Sequence, residues 1–313
     1  MRLVAKLVVA GALVGLATLF VLLATDTVED VRIERPNDAT VVSAERGELL
    51  LGLAGCVNCH TATGDGAAPL AGGRALDTPF GTFYTPNITS DVENGVGGWS
   101  EEDFVRALRY GRRPDGEHYF PAFPYVAYTR MTDADMLAIR AAIMERAGVA
   151  QANRPHDLGF PFNQRWGMRL WKLAHFDPGV YAVDPAQTTS WNRGAYIAEA
   201  LAHCGECHTP RWPTGGLDRG RWMAGAKDGP EGETAPNLTS DEATGLGGWS
   251  AGDIGLALKL GMKPDGDVVG SVMYEVVENG TANLKEADIA AIVEYLQSLP
   301  PVSNPDAPAA ETF

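Results

Sequence analysis

The chain has 313 residues, with 25 basic against 40 acidic side chains and a formal net charge of −15 at pH 7. At roughly 100–200 residues per domain this length suggests two domains, and 45% apolar content is enough for two cores. The acidic excess speaks against a nucleic-acid binder, because neutralising phosphate needs a basic surface.

Arg2 and Lys6 precede residues 7–24, an apolar run of 18 residues without a charge. At ~1.5 Å per residue a helix of that length spans about 27 Å, close to a hydrocarbon core of ~30 Å. Asp26, Glu29 and Asp30 follow the run, so the positive-inside bias places the rest of the chain on the far side of a membrane. A cleaved signal peptide is the alternative. Because Leu22-Leu23-Ala24 is a poor small-x-small cleavage site, residues 1–25 are expected to stay as an anchor. Residues 26–42, polar and containing Pro36, read as a linker.

A helix over 43–54 leads into Cys56-Val57-Asn58-Cys59-His60, and one over 191–202 into Cys204-Gly205-Glu206-Cys207-His208. These two copies contain all four cysteines. Paired CxxC in an exported protein can be a disulfide, a redox-active dithiol or a zinc site. None of these requires a histidine directly after both pairs. Covalent c-type haem attachment does: two thiols add across the haem vinyl groups, and the next residue then ligates the iron. Cys59 and Cys204 lie 145 positions apart, well beyond the ~15–20 residues usual between zinc-finger pairs. Two covalently bound haem c groups are therefore expected, held by Cys56, Cys59, Cys204 and Cys207, with His60 and His208 on iron.

The surrounding sequence repeats at an offset of 150: Asn87-Ile88-Thr89-Ser90-Asp91 with Asn237-Leu238-Thr239-Ser240-Asp241, Gly97-Gly98-Trp99-Ser100 with Gly247-Gly248-Trp249-Ser250, and Pro114-Asp115-Gly116 with Pro264-Asp265-Gly266. Arg46-Gly47 matches Arg193-Gly194 at an offset of 147. The chain reads as one haem-binding unit duplicated. Ser100-x-x-Asp103 and Ser250-x-x-Asp253 predict capping boxes, with helices that stop at Gly111 and Gly261. Last helices are expected over 133–147 and 286–299, the second ended by Pro300-Pro301. No run alternates long enough to predict a strand. The Asn-x-Thr pairs match a glycosylation pattern, but their recurrence at one repeat position favours turn chemistry. His156, His175 and His203 have no motif around them and read as surface or packing residues. Trp166 and Trp171, on a helix with Arg165, Arg169 and Lys172, read as packing between the units.

On CxxCH, PNIT/PNLT, GGWS, PDG, Phe120-Pro121-Ala122-Phe123-Pro124-Tyr125, Phe160-Pro161-Phe162-Asn163, Trp171-Lys172 and Tyr295-x-x-Ser298-Leu299-Pro300-Pro301, residues 43–301 resemble the membrane-anchored multihaem cytochromes c. These serve as electron-transfer subunits of bacterial periplasmic alcohol, gluconate and fructose dehydrogenases. Those subunits usually carry three haems, whereas this chain has motifs for two. The resemblance implies an all-α chain: an N-terminal transmembrane helix, then two tandem class I cytochrome c domains whose first and last helices cross near Gly47 and Gly194. The divisions are 1–25 anchor, 26–42 linker, 43–150 domain one, 151–190 connector, 191–301 domain two and 302–313 tail. It further implies a bacterial inner-membrane location with the haem domains in the periplasm. The function implied is passage of electrons from a dehydrogenase or other donor to an oxidase or another cytochrome, with no catalysis by the chain itself. A peroxidase-like haem enzyme with an open iron in domain one is the alternative.

Met opposite His suits an electron-carrying haem. The family pattern places that Met at Met273, in a loop before the last helix. In the first unit the 150-residue offset lands on Phe123, which cannot bind iron. Met131 is the expected ligand there, as in dihaem relatives, although alignment from the last helix pairs it with Leu284. His118 and a five-coordinate iron are the other cases.

Overall fold

The computed structural model describes residues 25–38, 41–227, 229 and 232–307, with residues 6, 15 and 17 beyond them. Serine or threonine side chains start most of the principal helices. Ser43 accepts from the Arg46 N–H to start α1 (Ala44–Leu53), which leads into α2 (Cys56–His60). Ser100 and Asp103 form a reciprocal capping box on α3 (Glu101–Tyr110), and Gly111 ends it in the left-handed conformation, φ 59°. A short turn, α4 (Tyr125–Tyr128), precedes α5 (Asp133–Glu145), capped by Thr132. The connector contributes α6 (Gly167–His175).

The second unit repeats the order. Thr188 caps α7 (Thr189–Tyr196), which continues as a π-turn over Ile197–Leu201 into α8 (Cys204–His208). Ser250 and Asp253 box the start of α9 (Ala251–Leu260), which Gly261 ends. Then come α10 (Ser271–Asn279) and α11 (Glu286–Ser298).

In each unit the first helix crosses the last at a glycine. A Cβ on Gly47 would sit 1.9 Å from Ala138 O of α5, and one on Gly194 would sit 1.9 Å from Ala291 O of α11. No side chain fits at either place, so the backbones touch; Leu50, Leu51 and Ile139 at the first crossing and Ile197, Leu201 and Ile292 at the second are buried in one continuous core.

Two expectations need correction. The chain is not all-α. About 40% of it is helical, and β1 (Ala75–Thr78), β2 (Gly81–Tyr84) and β3 (Asp157–Leu158) form an antiparallel sheet in the order β1-β2-β3. Thr78 pairs with Gly81 around a two-residue turn, and Gly81 at φ 121° allows Asp157 and Leu158 to come within a Cβ's width. Strands of four, four and two residues are too short to show periodicity.

The second correction concerns the membrane. Among the described residues no helix is long and apolar enough to cross one. The longest have 13 residues, about 20 Å, short of a ~30 Å core. The transmembrane helix and the single-span inner-membrane location are therefore not supported. The run over 7–24 that suggested them lies outside the described residues, Gly15 and Ala17 excepted.

The stretch read as a linker lies along the first unit. Asp26 takes ion pairs from Arg112 and Arg169, and Val31 and Ile33 pack against the core.

Candidate haem-attachment sites

The two CxxCH segments form short helices, each entered through a left-handed residue: Gly55 (φ 65°) before α2 and His203 (φ 41°) before α8. One helical turn places the first and fourth residues, the cysteines, on the same side. The histidine that follows is oriented from outside the helix. His60 Nδ1 lies 2.7 Å from Pro86 O, and His208 Nδ1 lies 2.8 Å from Pro236 O. A carbonyl only accepts, so Nδ1 carries the hydrogen in both rings and Nε2 keeps its lone pair. Burial lowers the pKa of both imidazoles, which favours the neutral, ligating form.

The Pro-Asn-x-Thr repeat is what holds those carbonyls. Asn87 Oδ1 accepts from Thr89 N at 2.9 Å and Thr89 Oγ1 at 2.7 Å, while its amide donates to Val149 O and Gln151 O. Asn237 does the same with Thr239 and donates to Thr244 Oγ1 and Val302 O. At 3% and 0% exposure these asparagines are inside the fold, so the turn reading of the motif holds and the glycosylation reading does not.

None of the four cysteines is in a disulfide. Burial pushes the Cys56 and Cys207 thiols up to about 12 and that of Cys204 up to about 11, the opposite of the lowered values of a redox-active dithiol. Among the described residues no group of three or more His, Cys, Asp and Glu side chains is arranged to hold a metal ion. Paired thiols on one helical turn, followed by an imidazole with Nε2 uncommitted, form a donor set that fits haem c.

Comparison with known proteins decides the family. Residues 44–145 match the family model for cytochrome c. The chain is 41% identical over 263 residues to the "Diheme cytochrome c-type" protein of Cereibacter sphaeroides, covering 83% of this chain and 86% of that one. It belongs to the cytochrome c family. It is also 40% identical to the fructose dehydrogenase cytochrome subunit of Gluconobacter japonicus and 39% identical to the gluconate 2-dehydrogenase cytochrome c subunit of Pantoea cypripedii. Each covers 85% of this chain, which spans 54% and 61% of their lengths. This cytochrome carries covalently bound haem c, two groups as in the dihaem relative, and serves electron transfer.

The expected sixth ligands fall in contrasting places. Met273 is half-buried on α10, a helix where a loop was expected; Val272, Val276 and Val277 with it make a helical apolar spacing that follows the Gly270 cap. Helix α10 packs on α1 and α2 of the first unit as well as on α9. Met131 is fully buried, 0% exposed, in the core between α4 and α5. Phe123 joins edge-on contacts with Tyr119, Tyr125 and Tyr128. His118 Nε2 is committed to Asp26 Oδ2 at 2.9 Å, inside the ion cluster with Arg112.

Other functional contacts carry no local signal. Arg74 donates to Asn58 O, between the first pair of cysteines, and to Glu275 of α10 at 2.7 Å, 201 residues away. Trp171 donates to Thr214 O of the second unit and meets the Tyr125 ring edge-on, which supports its packing role, whereas Trp166 is half exposed.

Proposed function

We propose that this cytochrome relays electrons between two haems built on one template. Cys56 and Cys59 form thioethers to the first haem and His60 is its proximal ligand; Cys204, Cys207 and His208 do the same for the second. Met273 completes the second iron and Met131 the first, within units spanning 43–150 and 191–301 joined by 151–190. When bound, the haem supplies the one-electron chemistry, and the chain supplies orientation, ligands and burial. The observation that carries this reading is the pair of Nδ1–H bonds from His60 and His208 to Pro86 O and Pro236 O, which leaves Nε2 of each ring for iron.

The donor is a dehydrogenase subunit and the acceptor an oxidase or another cytochrome. The names of the relatives support the donor. The net charge of −15 supports a partner with a basic docking face. Stopped-flow reduction of the haems by such a dehydrogenase and its substrate tests this. The rate is expected to fall as salt rises, because charges on two surfaces are screened within ~8–10 Å at physiological ionic strength. Haems that no such dehydrogenase reduces would sink the assignment of the donor.

A further inference from the structure

Gly55 and His203 occupy one position of the repeat, the residue before the first cysteine, and both have left-handed backbone at φ 65° and 41°. Glycine adopts that conformation without cost, whereas an L-residue is strained there. A histidine in that position is therefore held by what its side chain reaches.

Its ring crosses into the first unit. His203 Nε2 lies 3.3 Å from Ala54 O, which can only accept, so Nε2 carries the hydrogen. The ring meets Tyr128 edge-on, with centroids 5.5 Å apart and planes at 63°. Tyr128 Oη donates to the same Ala54 oxygen, which is the C-cap carbonyl of α1. That carbonyl lies 3.9 Å from Cys56 Sγ. One oxygen thus collects a donor from each unit, two residues before Cys56, and the donor from the second unit sits one residue before Cys204.

We infer that His203 is a positioning residue for electron exchange between the haems, bridging the two attachment segments through its hydrogen bond to Ala54 and its edge contact with Tyr128. The inference rests on the attachment reading above. A tunnelling electron loses amplitude faster across a gap than along bonds and hydrogen bonds, so a short bridge between the attachment segments sets the route. The bridge is not what keeps the units together. Arg74–Glu275 (2.7 Å), Asn279 to Asn58 (2.8 Å) and Tyr196 to Asp135 (2.5 Å) join them independently.

The experiment compares wild type with His203→Gly, which removes the ring and relieves the backbone. Attached haem is counted by pyridine haemochrome, stability by urea denaturation, and exchange by the re-equilibration of the two haems after flash photoreduction. Removing the ring replaces a hydrogen-bonded route with a gap, which the electron crosses more slowly. His203→Gly is therefore expected to keep two haems and slow exchange roughly tenfold. His203→Gln, whose amide can still donate to Ala54, should restore most of the rate. A residue present only for packing would change the urea midpoint and leave exchange alone. Fewer than two attached haems in wild type would overturn the attachment reading and this inference with it. Two haems in His203→Gly with an unchanged exchange rate would overturn the inference alone. His203→Asn tolerates left-handed backbone but stops short of Ala54, and serves the same comparison if the glycine variant does not fold.

Discussion

The two units share their proximal half and differ in the rest. Both cross first and last helices at a glycine, both hold a proline carbonyl with an Asn–Thr turn, and both aim that carbonyl at the motif histidine. Around that scaffold the first unit has Gly55, Phe123, a three-stranded sheet and the docked stretch at 25–35; the second has His203, Met273 on a helix, and a π-turn in its first helix. Duplication kept the parts that fix an imidazole, because a change there leaves a buried polar group unpaired. The residues that face the other unit were free to specialise.

The largest effect expected from breaking this symmetry is loss of one haem. Replacing both Cys204 and Cys207 with alanine should reduce haemochrome content from two groups per chain to one, and replacing Cys56 and Cys59 should do the same. A double variant that retained two would sink the attachment assignment.

The crossings are next. Alanine at Gly47 or Gly194 pushes a methyl into a backbone carbonyl 1.9 Å away. Either change should cost about 3 kcal/mol or more by urea denaturation, and the two should cost similar amounts. A neutral result at one would show that the two helix pairs are not equivalent.

Methionine variants sharpen the contrast on the distal side. Met131→Ala empties a fully buried site and should cost about 2–5 kcal/mol while also disturbing the first haem. Met273→Ala, from a half-buried helix, should cost less stability but lower the potential of the second haem and let it bind cyanide. Unchanged potentials in both variants would remove methionine from the iron at both haems.

The smallest effect is a pH dependence confined to the first unit. Burial, with the charges of Lys172 and Arg112, pushes His118 down to about 4 despite its contact with Asp26. The unfolded chain then takes up a proton between roughly pH 6.5 and 4 that the folded chain refuses, so stability falls as pH drops through that window. The loss should be on the order of 2 kcal/mol, and His118→Gln should flatten it. Asp26 works in the same sense at lower pH. Against the cost of its burial, hydrogen bonds from Arg112 and His118 hold it below the usual carboxylate range, so its contribution is lost only at still lower pH.

Much of the scaffold was legible in the residues because it is made of local chemistry. Ser100–Asp103 and Ser250–Asp253 close their boxes within four residues, Gly111 and Gly261 stop their helices, and Asn87 and Asn237 bond to threonines two residues on. The contacts that escaped are distant in sequence. β2 gains its second neighbour from Asp157, 75 residues after Thr82, and Arg74 finds Glu275 across 201 residues. His203 reads in the sequence as a surface or packing residue because nothing beside it in the chain reveals Ala54, 149 residues earlier. His118 has no neighbour in sequence that reveals Asp26, 92 residues earlier, on its Nε2.

The sequence by itself determined the cofactor, its number, the duplicated unit and the helix ends. CxxCH is covalent chemistry written in five consecutive residues, and caps and turns are satisfied by near neighbours. Only the tertiary structure decided which carbonyl holds each motif histidine, where the sheet forms, and how the attachment segments meet at Ala54. Those depend on burying and pairing polar groups across the fold, which no local pattern encodes.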